Sequence, residues 1–244
     1  MVDRPPLLTP ALSSTAIFRS GETALRSRSV GSVVRTGRLA LPPLPQRLTA
    51  DCLRETARIA LEAGSVEPLS LARARMRWPG NREHLEAAAA WLAAEGLPEV
   101  LADAELALMA CRGARYHHDG EQYGWAAFCN LFLGEAQGRD LHFPAINRRI
   151  PIERGTIVLF DTCQPHAVVA HEREGFEPEN FGADDVQLFL SWELPVEDPR
   201  IAQALGIAFD TDTAAAARMD DAQLLRGTAP ASLCPRTGRW LGGV

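Results

Sequence analysis

The sequence contains no lysine, and all 25 basic residues of the 244 are arginine. A Schiff base, an amine nucleophile and a lysine phosphate clamp each need an ammonium side chain, so enzyme classes that depend on one are excluded. Any anionic ligand must therefore be bound by arginine, by a metal ion or by neutral hydrogen-bond donors.

Cysteine is also scarce and poorly placed for pairing. The five cysteines are odd in number and scattered, and none forms a Cys-x-x-Cys pair. This pattern argues against a disulfide framework and against a structural zinc site. The formal net charge of −6 disfavours a nucleic-acid-binding surface, which would need a basic face.

Long hydrophobic runs are missing as well. The longest, such as residues 87–94, are far shorter than the roughly 20 residues that a membrane-spanning helix needs. The first ten residues contain one arginine and no compact apolar stretch, which is not typical of a signal peptide. We therefore expect a cytoplasmic protein that has no membrane segment.

Hydrophobic periodicity divides the chain into four segments of one domain. Residues 1–48 are rich in Pro, Ser, Thr and Arg and indicate an irregular N-terminal arm with one or two short strands. Residues 49–103 are predicted to form helical support, with helices over 49–64 and about 82–94. Residues 104–194 are predicted to be the β core. Residues 195–244 are predicted to form a helix, including 214–225, and a tail.

In the segment 104–194 the hydrophobic period shifts toward 2, which is typical of strands. In the last predicted strand Leu188, Leu190 and Trp192 share one face, whereas Phe189, Ser191 and Glu193 share the other. Many short strands after a helical start predict a mainly β fold with flanking helices. The predicted strands are 105–111, 125–133, 141–143, 148–152, 156–160, 167–170 and 186–194.

Two short stretches carry candidate metal ligands. In extended backbone alternate side chains share a face, so His117 and Asp119 can point the same way while His118 points the opposite way. Further along, His166 follows a buried strand and a turn that contains Pro165. Two imidazoles and one carboxylate leave open positions on an ion, as non-haem Fe(II) needs to bind a chelating co-substrate and oxygen together.

The stretch from residue 105 to residue 194 resembles the 2-oxoglutarate/Fe(II) oxygenase superfamily, nearest to its prolyl-4-hydroxylase-like branch. The order of the parts carries the resemblance. Tyr116-His117-His118-Asp119 is similar to the family's His-x-Asp, and residues 138–144 are similar to its Gly-Asp-Leu-x-Phe-Pro turn. Pro165-His166-Ala167-Val168 is similar to the strand that holds its distal histidine.

This resemblance implies a double-stranded β-helix, or jelly-roll, core. It implies that His117, Asp119 and His166 are the metal ligands and catalytic residues for Fe(II), with 2-oxoglutarate as co-substrate. It also implies that molecular oxygen is consumed to hydroxylate a small molecule or a peptidyl side chain.

The sequence departs from the family where an Arg or Lys beyond the distal histidine usually anchors 2-oxoglutarate. No basic residue occurs from Glu174 to Pro199. Arg173 is the nearest substitute and is the predicted anchor. The alternatives are another arginine, or a co-substrate other than 2-oxoglutarate. The other arginines considered are Arg112, Arg115, Arg148 and Arg149.

Two other functions stay open on these residues: a cupin-like metal protein without oxygen chemistry, and a metal-free binding module. Among the remaining histidines, His118 is expected beside the ligands and is the fallback ligand if the register is shifted. His142 is expected to be a satisfied surface residue, with an inward position facing a substrate as the alternative. His84 and His171 are expected at the surface.

Overall fold

The computed structural model describes residues 14–21 and 24–241, so the first 13 residues of the predicted arm lie outside the described part. The described strands are β1 (Ser14–Ser20), β2 (Ala24–Ser29), β3 (Arg35–Arg38), β4 (Val66–Leu69), β5 (Glu105–Cys111), β6 (Ala114–His117), β7 (Ala126–Phe132), β8 (Arg139–Phe143), β9 (Arg148–Pro151), β10 (Thr156–Asp161), β11 (His166–Ala170), β12 (Gln187–Pro195), β13 (Gln223–Arg226) and β14 (Ala229–Pro230). The described α-helices are α1 (Gln46–Arg58), α2 (Leu71–Arg75), α3 (Asn81–Ala94), α4 (Gly120–Tyr123), α5 (Pro199–Leu205) and α6 (Thr213–Ala216).

The ten strands β3 to β12 form two facing antiparallel sheets. The large sheet has the order β3-β10-β7-β12-β5-β4, and the small sheet has the order β6-β11-β8-β9. From β5 to β12 the chain crosses between the sheets after almost every strand, and the hairpin β8–β9 is the exception. This connectivity is a double-stranded β-helix, so the predicted mainly β fold with a jelly-roll core is confirmed.

Strand β12 shows why the large sheet has an apolar layer on each side. Leu188, Leu190 and Trp192 belong to the core cluster that also contains Leu48 of α1 and Leu92 of α3. The helices thus cover the outer face of the sheet, as the alternation in β12 predicts.

The inner face of the same strand points toward the small sheet. Phe189 packs there with Phe132 of β7, with a centroid separation of 5.3 Å between the rings. Phe143 and Phe160 pack in the same cluster, with their ring centroids 5.2 Å apart. Aromatic rings therefore occupy much of the space between the two sheets.

The termini differ from the sequence prediction. The described part of the predicted irregular arm contains three strands. Of these, β1 and β2 form a separate sheet of order β14-β13-β1-β2 with the C-terminal segment, and β3 extends the large sheet. The predicted helix over 214–225 is wrong. Only α6 is helical there, and Gln223–Arg226 is strand β13, because its residues pair with β1.

A buried ion pair joins β2 to the end of β10. Arg28 and Asp161 are both fully buried, and two hydrogen bonds of 2.7 Å link their side chains. The carboxylate of Asp161 also accepts from the backbone N–H groups of Gly31 (2.6 Å) and Cys163 (3.0 Å). Because every charge in this network has a partner, it holds the terminal sheet and the turn after β10 in one arrangement.

Among the described helices, none combines the length and the apolar character that crossing a membrane requires.

We expect the substitution Arg28→Met to lower the free energy of unfolding by about 3–5 kcal/mol, because Asp161 keeps a buried charge without its cation. Urea denaturation at pH 7 measures this loss. The matched control is Arg26→Met on the same strand, where Arg26 pairs with Glu197 and Asp210 at the surface. Such exposed pairs contribute about 1 kcal/mol or less. Equal losses in the two variants would contradict the structural role of the buried pair.

Candidate metal centre

The two histidines of the candidate centre lie directly opposite each other in the small sheet. In the antiparallel pair β6–β11 the Cα partner of His117 is His166, and the register shifts between His166 and Val168. His117 is the last residue of β6 and His166 is the first of β11, so both side chains lie at the same end of the barrel. Strand pairing thus brings together two residues that are distant in sequence.

Asp119 completes the group from the turn that follows β6. One ligand atom each from His117, Asp119 and His166 lies within 4.8 Å of the others. The Nε2 atoms of His117 and His166 are each 3.6 Å from a carboxylate oxygen of Asp119. Two donor atoms that are each about 2.0–2.2 Å from one ion lie about 4.4 Å apart at most, so the two 3.6 Å separations suit a shared ion.

Backbone carbonyl groups set the orientation of both imidazoles. The Nδ1–H of His117 donates to the carbonyl oxygen of Arg115 (2.6 Å), and that of His166 donates to the carbonyl oxygen of Gln164 (2.9 Å). A carbonyl oxygen can only accept, so Nδ1 carries the proton in each ring and Nε2 keeps its lone pair in the neutral imidazole. This arrangement is typical of histidines that bind metals.

Burial keeps His166 neutral. The pKa of His166 is lowered to about 4, chiefly by burial and next by the nearby His117, against the opposing effect of Asp119. The ring packs edge-on against Phe160, with a centroid separation of 4.8 Å. At neutral pH its lone pair is therefore free to bind a cation without first losing a proton.

The backbone of Asp119 is tied to the turn that precedes His166. Its N–H donates to the carbonyl oxygen of Thr162 (2.9 Å), and its own carbonyl oxygen accepts from the N–H of Tyr123 (2.7 Å), the last residue of α4. The hydroxyl oxygen of Thr162 lies 2.6 Å from the carbonyl oxygen of Tyr123 and 2.8 Å from that of Ala126, and its one hydrogen can be donated to either. The turns that carry Asp119 and His166 are thus cross-linked.

The other histidines lie outside this group. His118 points away from it, as the alternation predicts, and its ring lies near Trp240 with centroids 6.5 Å apart. The expected surface positions of His142 and His84 are wrong, because both residues are buried. His142 shares a hydrogen bond of 2.6 Å with the hydroxyl of Tyr116. His171 is exposed, as expected.

A cavity of about 580 Å³ opens beside the candidate ligands, between the inner faces of the two sheets. Its volume lies within the range of small-molecule sites, about 300–1,000 Å³. Strand alternation could have identified its polar lining, because Ser191 and Glu193 belong to the face of β12 that the sequence leaves polar. Asn130 and Tyr123 were missed, because neither belongs to a recognisable motif. The polar lining residues are Glu67, Glu105, His117, Asp119, Gln122, Tyr123, Asn130, His166, Ser191 and Glu193.

The structure does not bring Arg173 into the described lining of this cavity. Its side chain is exposed after β11, and its carbonyl oxygen accepts a hydrogen bond from Arg149. The other arginines considered are engaged elsewhere. Arg112 donates to the carbonyl oxygens of Gly182 and Phe181, Arg148 donates to that of Val34, and Arg115 lies over the ring of Phe176.

The donor set therefore suits the expected Fe(II), but the described lining holds no cationic side chain for the co-substrate. Two neutral imidazoles and a carboxylate suit Fe(II). For the distal carboxylate of 2-oxoglutarate, the described lining offers the neutral donors of Asn130, Ser191 and Tyr123 and no cation. Anchoring of 2-oxoglutarate by Arg173 stays a prediction that this geometry does not support.

We expect the substitutions His117→Ala and His166→Ala each to weaken Co(II) binding by more than about tenfold, since even changes in the outer shell of a metal site cost 10–100-fold. Titration of the metal-free protein, followed by visible absorption, measures the affinity. His171→Ala is the matched control, because this exposed histidine bonds to Asp140 and lies outside the group. Unchanged Co(II) affinity in both ligand variants would contradict the assignment.

The pH dependence of stability tests the environment of His142. Burial, followed by the charge of Arg149, lowers the pKa of His142 to about 4. As the pH falls below about 6.5, the unfolded chain takes up a proton that the folded chain refuses, so the folded state loses stability.

Between pH 7.5 and 4.5 we therefore expect the free energy of unfolding of the metal-free protein to fall by about 2 kcal/mol less in His142→Gln than in the wild type. Urea denaturation at both pH values measures the difference. An equal fall in the two proteins would show that His142 titrates normally.

Comparisons with known proteins return distant structural likenesses only. No protein-family model matches the chain, and no curated protein matches it. The chain is similar to the viral collagen prolyl hydroxylase from Paramecium Bursaria Chlorella virus-1, solved as a 2OG complex. The identity is 11% and the TM-score 0.41, over 67% of this chain and 96% of that one.

Two further solved structures are similar to the chain. A prolyl-4-hydroxylase of Pseudomonas putida has 18% identity and a TM-score of 0.40, over 66% of this chain and 92% of that one. A non-haem α-ketoglutarate-dependent epimerase from nogalamycin biosynthesis has 13% identity and a TM-score of 0.33, over 66% and 78%.

Proposed function

We propose that this chain is a non-haem Fe(II) oxygenase that uses 2-oxoglutarate and molecular oxygen to hydroxylate a small molecule or a peptidyl side chain. One observation carries the proposal: two imidazoles and one carboxylate converge within 4.8 Å at the open end of a double-stranded β-helix. The group borders a cavity large enough for a small ligand.

Fe(II) bound by His117, Asp119 and His166 would supply oxygen activation, a chemistry that amino-acid side chains lack. The chain's own residues would do the rest. The carbonyl oxygens of Arg115 and Gln164 hold the two imidazoles with Nε2 toward the ion. Asp119 contributes a negative charge, which favours a cation over an uncharged ligand.

The surroundings of the centre support water exclusion on one side. Phe160 and Phe143 lie beside His166, with ring centroids 4.8 and 6.1 Å away. Phe128 of β7 lines the cavity and packs against Tyr123 at 5.1 Å. Apolar side chains at these positions keep solvent from the buried ligand and strengthen its interaction with a cation.

The choice of 2-oxoglutarate follows from the order of motifs in the sequence, namely His-x-Asp, the turn at residues 138–144 and the distal histidine. Asn130, Ser191 and Tyr123 could donate hydrogen bonds to its distal carboxylate, which neutral donors hold less strongly than a bidentate arginine. We therefore expect weaker binding of the co-substrate than an arginine-anchored site would provide.

Anaerobic addition of Fe(II) and 2-oxoglutarate tests the proposal. We expect a visible charge-transfer band in the wild-type protein, because a chelating keto acid bound to Fe(II) absorbs in this range. The band should disappear in Asp119→Ala, which loses the only carboxylate of the group. Its matched control is Asp140→Ala, a buried carboxylate outside the group.

The two spectroscopic outcomes separate the candidate functions. A band followed by succinate formation on admission of oxygen supports the oxygenase. Tight Fe(II) binding without a band at any 2-oxoglutarate concentration would instead support the cupin-like metal protein. No Fe(II) binding would reject both and leave the metal-free binding module.

A further inference from the structure

The cavity beside the candidate metal centre carries carboxylates that the proposed ion does not use. Glu105 of β5 and Glu193 of β12 are Cα partners in the large sheet, and both line the cavity. Glu67 of β4 lines it at the rim. Within residues 14–21 and 24–241, none of these three side chains takes part in an ion pair.

The opposed carboxylates of Glu105 and Glu193 destabilise the folded protein when no ligand lies between them. Like charges directly opposite each other on neighbouring strands destabilise a sheet. Burial, together with the charge of Glu105, raises the pKa of Glu193, so its charged form is disfavoured where it stands. A cation between the two carboxylates would remove the repulsion and stabilise both charges.

Asn130 provides an independent sign of a missing ligand. Its side chain is only 7% exposed, lines the same cavity and has no hydrogen-bond partner for Oδ1 among the described residues. Its strand partner is Ser191, which lies two residues before Glu193 on the inner face of β12. A buried acceptor without a partner is unfavourable, and a turn of the Asn130 amide would present this oxygen to a molecule bound in the cavity.

Tyr123 connects the carboxylate pair with the candidate metal ligands. Its side chain lines the same cavity as Glu105 and Glu193, and its backbone N–H donates to the carbonyl oxygen of Asp119 (2.7 Å). The carboxylate pair and the candidate metal ligands therefore border one cavity. A molecule that spans from the pair toward Asp119 would present its far end to the metal centre.

The charge of the lining selects the class of ligand. The described lining holds four carboxylates (Glu67, Glu105, Asp119, Glu193) and no arginine. The described side chains offer an anionic substrate no cation, whereas a cation with several N–H donors matches both the charges and the free acceptor. Such a cation would also offset the charge of a dicarboxylate co-substrate in the same cavity.

We propose that the substrate carries a protonated guanidinium or amine group, that Glu105 and Glu193 bind this group, and that Asn130 accepts one of its N–H bonds. This inference rests on the proposed function only in so far as it calls the bound molecule a substrate. The binding site itself depends only on the cavity residues. Free amino compounds and arginine- or lysine-containing peptides share the required chemistry.

The probes are n-butylguanidinium and n-butylurea, which have almost the same shape and differ in charge. Saturation-transfer NMR measures their affinity for the metal-free protein. We expect n-butylguanidinium to bind and n-butylurea to bind at least about fivefold more weakly, the factor that corresponds to about 1 kcal/mol for one ion pair.

The double variant Glu105→Gln/Glu193→Gln keeps the shape of both side chains and removes both charges. We expect it to weaken n-butylguanidinium binding by about tenfold or more, since each carboxylate contributes up to about fivefold. Its thermal stability should equal or exceed that of the wild type, because the repulsion is gone. The matched control is Glu179→Gln, an exposed carboxylate outside the cavity lining, which should bind the probe as the wild type does.

Equal binding of the two probes, unchanged affinity in the double variant, or no detectable binding of n-butylguanidinium would each overturn the inference. The test is separate from that of the proposed function because it uses metal-free protein. Selective binding of the guanidinium by a protein that shows no charge-transfer band would keep the cation site and reject the oxygenase.

Discussion

The register between β6 and β11 is the constraint on which the candidate centre depends. It places His117 opposite His166, and the turn after β6 then brings Asp119 to the same place. Side chains alternate along a strand, so a slip of one residue would turn one imidazole to the opposite face and separate the donors. The irregular register directly after His166 shows that the pairing is adjusted at this point.

Interactions outside the two strands hold this register. The backbone of Asp119 bonds to Thr162, and the buried guanidinium of Arg28 holds Asp161, the residue before Thr162. Arg28 comes from β2, which pairs with β1 in the terminal sheet. The segments at the two ends of the chain thus support the turn that positions His166. The additional sheet thus contributes to the position of the candidate centre.

The two faces of the large sheet have different roles. The outer face packs against helices, and the inner face lines the cavity. The outer side chains of β7 and β12 pack under α1 and α3. On the inner face, Phe132 and Phe189 are followed toward the candidate centre by Asn130 and Ser191, and then by Phe128 and Glu193. The cavity therefore has a mixed apolar and polar lining.

Hydrophobic alternation within single segments predicted the strands and the side-chain directions that it determines locally. Strand β5 and the two faces of β12 follow directly from alternation, and the shared direction of His117 and Asp119 follows from the same rule. The terminal sheet could not be predicted, because β1 pairs with β13 across most of the chain and neither strand has a strong pattern of its own. The run of alanines near residue 215 favours a helix locally, but pairing with β1 overrides this propensity at Gln223–Arg226.

Long-range packing also accounts for the remaining differences between the sequence predictions and the structure. His142 alternates with apolar neighbours in β8, which alone does not show that Tyr116 provides a buried partner for it. The short distance in sequence from His166 favours Arg173 as the anchor of 2-oxoglutarate, but the turn after β11 leaves its side chain in solvent. The carboxylate pair in the cavity arises from the register of β5 against β12, which no single segment reveals.

A crystal structure of the protein loaded anaerobically with Fe(II) tests the central claim most directly. The account predicts one ion at about 2.0–2.2 Å from Nε2 of His117, Nε2 of His166 and one carboxylate oxygen of Asp119, with the remaining positions open toward the cavity. An ion bound elsewhere, or one that contacts only one of these three side chains, would contradict it.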